Sequence, residues 1–185
     1  MRLSRVCCIN LFRMGFVLCY LLCFFSCNNV EISKVKVIEE FSLEKEHDSL
    51  YFLNILSAKK KDRWKLSYPV YRFYVGDIDE NGKNDALIGV VKKTRFDSVF
   101  GKRVFIFKNY KELIRPLWLG SKFGQPLVDF SYVETRKGAR IRTIEKEKNG
   151  NFLVAEYKWR KFGVEFTKYI KREIDSVTAY ALLKQ

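Results

Sequence analysis

Asn149-Gly150 leaves the chain around it few options besides a β-hairpin, because both residues tolerate the positive φ that tight hairpin turns demand. Beyond it, Leu153, Ala155, Tyr157 and Trp159 share one face of Asn151–Arg160 at a period of two. The same texture holds from Trp64 onward. Strands are expected over Trp64–Gly76, Ala86–Lys93, Lys102–Lys108, Glu112–Leu119, Pro126–Glu134, Ala139–Lys146, Asn151–Arg160 and Gly163–Lys171. Arg136-Lys-Gly138, Lys148-Asn-Gly-Asn151 and Lys161-Phe-Gly163 read as their connectors. About eight strands joined by short turns imply an all-β antiparallel meander. They fall into two groups of four on either side of Gly120–Gln125, each about the length of a propeller blade. Two or three blades do not close a ring, so a propeller-like fragment, a partner in a larger assembly, a sandwich and a barrel all stay open. Asp175–Leu183 is expected as a short C-terminal helix, with Ile174, Val177 and Ala181 at helical spacing.

Between the first two expected strands lies Asp77-Ile-Asp-Glu-Asn-Gly-Lys-Asn-Asp85. Asp77, Asp79, Asn81 and Asp85 stand at loop positions one, three, five and nine, with Gly82 at six and the Lys83 carbonyl at seven. A calcium ion takes six to eight oxygens, and a chain turning about a glycine at these offsets supplies most of them. An EF-hand would need a glutamate at position twelve and helices on both sides. That position is Ile88, and both flanks read as strands. The strand–loop–strand unit of Tyr71–Val91 resembles the calcium loop of FG-GAP (integrin-α-like, VCBS-like) repeats, which build β-propeller blades. The resemblance implies a bound calcium ion with a structural role. Gly89-Val90-Val91 stands where that family carries Gly-Ala-Pro, and the chain has one such loop rather than several.

The first 26 residues read as a signal peptide. Arg2, Arg5 and Arg13 precede the almost wholly apolar Met14–Phe25, too short to span a hydrocarbon core. Phe24-Phe25-Ser26-Cys27 resembles the lipobox of bacterial lipoproteins, with Cys23 a rival hampered by the bulk of Leu22. The resemblance implies a thioether-linked diacylglyceryl group and an acylated amino terminus on Cys27. Asn28 in place of Asp favours an outer over an inner membrane, with the leaflet open. All five cysteines lie in these 27 residues, so the exported chain would have no disulfide, thiol chemistry or cysteine-bound metal. Residues 27–63 are read as lipidated cysteine and tether, and 64–185 as the β domain.

Few constellations suggest catalysis. His47, the one histidine, falls in the tether, which argues against a Ser–His hydrolase or a histidine zinc site. No residue is assigned a catalytic role. Asp97, Asp129 and Glu134 leave carboxylate-based hydrolysis of envelope glycans as the alternative. Arg95, Phe96, Trp118 and Trp159 form a candidate ligand surface; the competing reading puts Phe96 and Trp118 in the core. The formal charge is +14, of which the three leader arginines supply three, leaving +11. Lys158-Trp-Arg-Lys-Phe162 and Lys168-Tyr-Ile-Lys-Arg172 mix cations with aromatics. In an exported chain this points to anionic glycan, lipid headgroup or protein rather than nucleic acid, while lysines guarding strand edges would look the same. The reading is a lipid-anchored, non-catalytic binding or assembly module of the cell envelope.

Overall fold

Among the described residues, turn residues and prolines cut the chain into twelve strands, more than the eight expected. The computed structural model describes residues 35–38, 40–55, 61–95, 97–120 and 122–185, so the leader and Cys27 lie outside the described residues. Strands β1 (Val35–Ile38), β2 (Phe41–His47), β3 (Leu50–Ile55) and β4 (Arg63–Leu66) form a first sheet. A second holds β5 (Val70–Gly76), β6 (Asp85–Thr94), β7 (Asp97–Tyr110) and β8 (Leu113–Leu119). The third holds β9 (Leu127–Thr135), β10 (Gly138–Lys146), β11 (Phe152–Arg160) and β12 (Gly163–Ile174). Helix α1 (Ser176–Leu183) follows. Every sheet is a four-stranded antiparallel meander, and no strand pairing joins one sheet to another, so no barrel closes among the described residues. The blades expected after Trp64 are the second and third sheets.

One expected strand is corrected. Trp64–Gly76 is not one strand: it divides between β4 and β5, which belong to different sheets. Pro69 causes the break, because it has no N–H to give a ladder; its carbonyl instead accepts from Val91 N at 3.0 Å. Within the stretch read as a tether, Val35–Ile38, Phe41–His47 and Leu50–Ile55 are strands of the first sheet. The Asn149-Gly150 hairpin forms with a three-residue loop, Gly150 at φ +88° and Glu147 N donating to Asn151 O at 2.9 Å.

The sheets stack face to face, with the second in the middle. Ile88, Val90, Phe105 and Phe107 join Phe41, Leu53, Ile55 and Leu66 of the first sheet in one core. Leu87, Val104 and Ile106 point the other way, into a core shared with Phe130, Ile141, Leu153 and Tyr157 of the third. Being covered on both faces explains why Ala86-Leu-Ile-Gly-Val-Val91 is continuously apolar rather than alternating. Pro116 sits in β8, an edge strand, where a missing N–H costs no ladder bond.

Both ends of the stack are finished off. The outer face of the first sheet is polar: Glu44 pairs with Arg63 at 3.1 Å, and the Arg63 guanidinium lies over the Phe52 ring at 3.4 Å. The third sheet is covered by α1, where Ala179 and Leu183 pack on Ile144, Val154 and Ile174. Val177 and Ala181, expected on that face, are exposed instead. Asp175 caps the helix by accepting from Thr178 N at 3.0 Å. At the other end, the carbonyls of Leu182 and Leu183 accept from Arg142 and Ser131. No helix of the described residues is long and apolar enough to cross a membrane.

Candidate metal centre

The Asp77–Asp85 loop joins β5 to β6, and Asp85 opens β6 opposite Gly76. Its turns are made by the loop's own carboxylates. Asp77 accepts from Asn81 N at 3.0 Å and Gly82 N at 2.6 Å, with Gly82 at φ +82°. Asn81 Oδ1 accepts from Lys83 N at 2.9 Å. The folded loop brings one oxygen each from Asp77, Asp79 and Asp85 within 4.8 Å of one another. Asp85 is only 1% exposed, and its Oδ2 accepts from Ile78 N at 3.2 Å. Its Oδ1, like Asp79 Oδ1, is buried with no donor.

Such a site is electrostatically costly as it stands. Burial, then the charges of Asp79 and Asp77, push the Asp85 carboxyl up to about 7 against backbone donors that pull it down. No ion pair among the described residues involves Asp77, Asp79 or Asp85. Two buried oxygens without donors and an all-oxygen donor set fit a hard divalent cation, with Asn81 and the Lys83 carbonyl available to complete it.

The loop is also a clamp between sheets. Ile78 is fully buried in the core between the second and third sheets. Glu80, at φ +58°, reaches across so that its Oε1 accepts from Ala139 N at 2.9 Å. Gly138 makes room for that carboxylate; a Cβ there would overlap Glu80 Oε1, and one on Gly76 would overlap the Tyr132 ring. Glu80→Ala is expected to lower stability by about 1–2 kcal/mol, read by denaturant unfolding, because one bond between sheets is lost. Gly138→Ala is expected to cost at least as much, since it expels the same carboxylate and strains a φ of +97°.

The remaining candidates separate. Trp118 is a core residue, 9% exposed, set edge-on to Phe123 with ring centres 5.7 Å apart. Trp159 is half-buried against the same core, and Arg95 is exposed on the turn between β6 and β7. Phe96 lies outside the described residues.

The three carboxylates weighed for hydrolysis do not converge. Asp129, 2% exposed, is held by the Arg72 guanidinium through two bonds and also accepts from Phe130 N at 2.8 Å. Glu134 accepts from the Tyr132 hydroxyl at 3.0 Å. Asp97 binds Arg103 at 2.6 Å; burial raises its pKa, but the Val99 N–H, Arg103 and Lys122 outweigh that and hold it below the usual range. The Asp97–Arg103 pair guards a strand edge. β8 pairs with β7 only from Phe105 to Tyr110, leaving Asp97–Val104 open on that side. There Asp97 Oδ1 accepts from Val99 N, and Arg103 donates to the carbonyls of Val99 and Lys102.

Spacing alone did not reveal Glu145, buried and fixed by Thr143 Oγ1 at 2.7 Å, Tyr157 OH at 2.8 Å and Gln125 N at 2.5 Å. This network ties down the connection from the second sheet to the third. Of the basic runs on β11 and β12, Lys158 and Arg160 pair with Glu165, Lys168 with Glu156 and Arg172 with Glu147. Comparison with protein-family models, curated proteins and solved structures finds no match, so fold and site rest on the chain's own geometry.

Proposed function

We propose that the chain is a non-catalytic binding or assembly module of the bacterial cell envelope, anchored by lipid on Cys27 and braced by a structural calcium ion. The anchor rests on the apolar leader and on Phe24-Phe25-Ser26-Cys27. The brace rests on one observation above all: Asp85 is buried with an orphaned oxygen beside two more carboxylates. Asp77, Asp79, Asn81, Asp85 and the Lys83 carbonyl would hold the ion, which would neutralise the loop and fix Ile78 and Glu80 against the third sheet. The non-catalytic reading draws on the way Asp97, Asp129, Glu147 and Glu156 are each taken up by arginine or lysine. The partner is an anionic glycan, lipid headgroup or protein, drawn by the net positive charge.

Thermal unfolding of residues 28–185 with calcium and with chelator tests the brace. A ligand present at one hundred times its Kd adds about 2.7 kcal/mol. For a chain of this size that corresponds to a midpoint rise of about 5–10 °C. The rise is expected in the parent and lost in Asp77→Ala; an unmoved midpoint at millimolar calcium overturns the reading.

A further inference from the structure

On the outer face of the third sheet, beyond the area covered by α1, lies a recess of about 370 Å³. Its walls carry Arg136, Lys137, Arg140, Arg142 and Lys168 against a single carboxylate, Glu156. That carboxylate is already engaged, by Arg142 at 2.9 Å and Lys168 at 3.4 Å. Arg140 is the telling residue. It is 9% exposed, yet its nearest carboxylate is the solvent-facing Glu80 at 3.9 Å. Its guanidinium is held by backbone instead, donating to the carbonyls of Ala139 and Lys137 at 2.5 Å each. Arg142 is similarly fixed by Leu182 O at 2.8 Å. No ion pair among the described residues occupies Arg136 or Lys137.

A buried guanidinium whose nearest counter-charge stands 3.9 Å away on an exposed side chain is under-compensated, and surrounding it with further cations makes it more so. Two arginines locked by carbonyls pay no further ordering cost when an anion arrives. We propose that this recess is a binding site for a phosphomonoester carried on a sugar or lipid headgroup. Several cations converging on one recess favour a group carrying more than one negative charge over a lone carboxylate. Planar guanidinium forks match phosphate oxygens, and the volume falls in the range of small-ligand sites, larger than a bare ion needs. The inference deepens the binding-module reading, on which it rests for the source of the ligand.

The test is calorimetric titration of the full chain in neutral detergent. The probes are inorganic phosphate, glucose 1-phosphate, short-chain phosphatidic acid, and glucuronate as the carboxylate control. Each is run with calcium and with chelator. Phosphate compounds are expected to bind and glucuronate to bind at least about tenfold more weakly, a difference of about 1.4 kcal/mol. Preference for glucose 1-phosphate assigns a phosphorylated glycan, and preference for phosphatidic acid a lipid headgroup. The exposed pair Arg136→Gln with Lys137→Gln, neither of them in an ion pair among the described residues, is expected to weaken binding at least about tenfold with the unfolding midpoint unchanged. Arg140→Gln is expected to abolish it, with retained fold checked by circular dichroism. No heat from any phosphate compound, equal binding of glucuronate, or unchanged binding in the exposed double variant each overturns the proposal. The calcium response is read separately on the same samples. If calcium raises the midpoint while phosphate fails, the ligand assignment falls and the braced module stands; the reverse result discards the brace and keeps the site.

Discussion

Asp85→Asn is expected to make the calcium-free protein more stable than the parent at pH 8 and, at the same time, to abolish stabilisation by calcium. The first effect follows from linkage. The folded-state pKa of Asp85 is pushed up to about 7 from an ordinary 3.8, so the unfolded chain gives up its proton first as pH rises. Stability is therefore undiminished below about pH 4, falls through the interval to about pH 7, and stays low above it. Over that span the shift corresponds to a penalty of about 4 kcal/mol. The groups facing Asp85 reinforce it: Asp79 and Asp77 are like charges, and the Tyr132 phenol, itself raised by burial and by Glu134, brings no cation. Asparagine keeps an oxygen for Ile78 N and removes one of three clustered negative charges. The second effect follows because a neutral amide replaces a ligand carboxylate. Denaturant unfolding at pH 5 and pH 8, each with calcium and with chelator, reads both. The parent should lose stability between the two pH values only in chelator, since a bound cation favours the ionised carboxylate. A variant less stable than the parent at pH 8 in chelator would mean that the three aspartates do not repel as their geometry requires.

That loop was legible in the sequence because its chemistry is local. Ligands at fixed offsets around Gly82 need only the loop's own turn to converge. What the loop grips was not legible, because Ala139 and Gly138 lie some sixty residues on and no short-range pattern links them to Glu80. The second and third sheets were readable for a similar reason: strands such as β11 alternate, and Gly138 and Gly150 mark their turns. The first sheet is only faintly marked in the sequence, because β2 buries only Phe41 and Ser42 fully and leaves Lys45-Glu-His47 exposed, so its period of two fades within four residues. The basic recess is a product of register. Arg142 faces Glu156 and Glu156 faces Lys168 only because β10, β11 and β12 pair as they do. In sequence, Lys158-Trp-Arg-Lys-Phe162 looked the more basic feature, yet Glu165 offsets two of its cations, while among the described residues no ion pair takes up Arg136 or Lys137.

Shortening the chain to residues 64–185 is expected to yield an aggregating product, whereas residues 34–185 fold cooperatively. The boundary at 64 looks natural in the sequence, because regular alternation begins there. In the structure it removes β1, β2 and β3, and with them Phe41, Tyr51, Leu53 and Ile55. Their loss uncovers Phe73, Ile88, Val90, Phe105, Phe107 and Ile114 on the middle sheet. At about 1.5–3 kcal/mol for each large apolar side chain, the exposed face forfeits about 9–18 kcal/mol. A domain of ordinary stability has only about 5–15 kcal/mol in total, so the remainder cannot hold. The uncovered strands β5 and β6 would present a flat apolar surface of the kind that associates with itself. The loop would suffer indirectly, because β5 and β6 carry Asp77 and Asp85 and lose one of the two cores that keep them in register. Light scattering and a calcium titration of the two products distinguish the outcomes. A monomeric, cooperatively unfolding, calcium-responsive product from 64 would show that the first sheet is dispensable and that the middle sheet needs only one covered face.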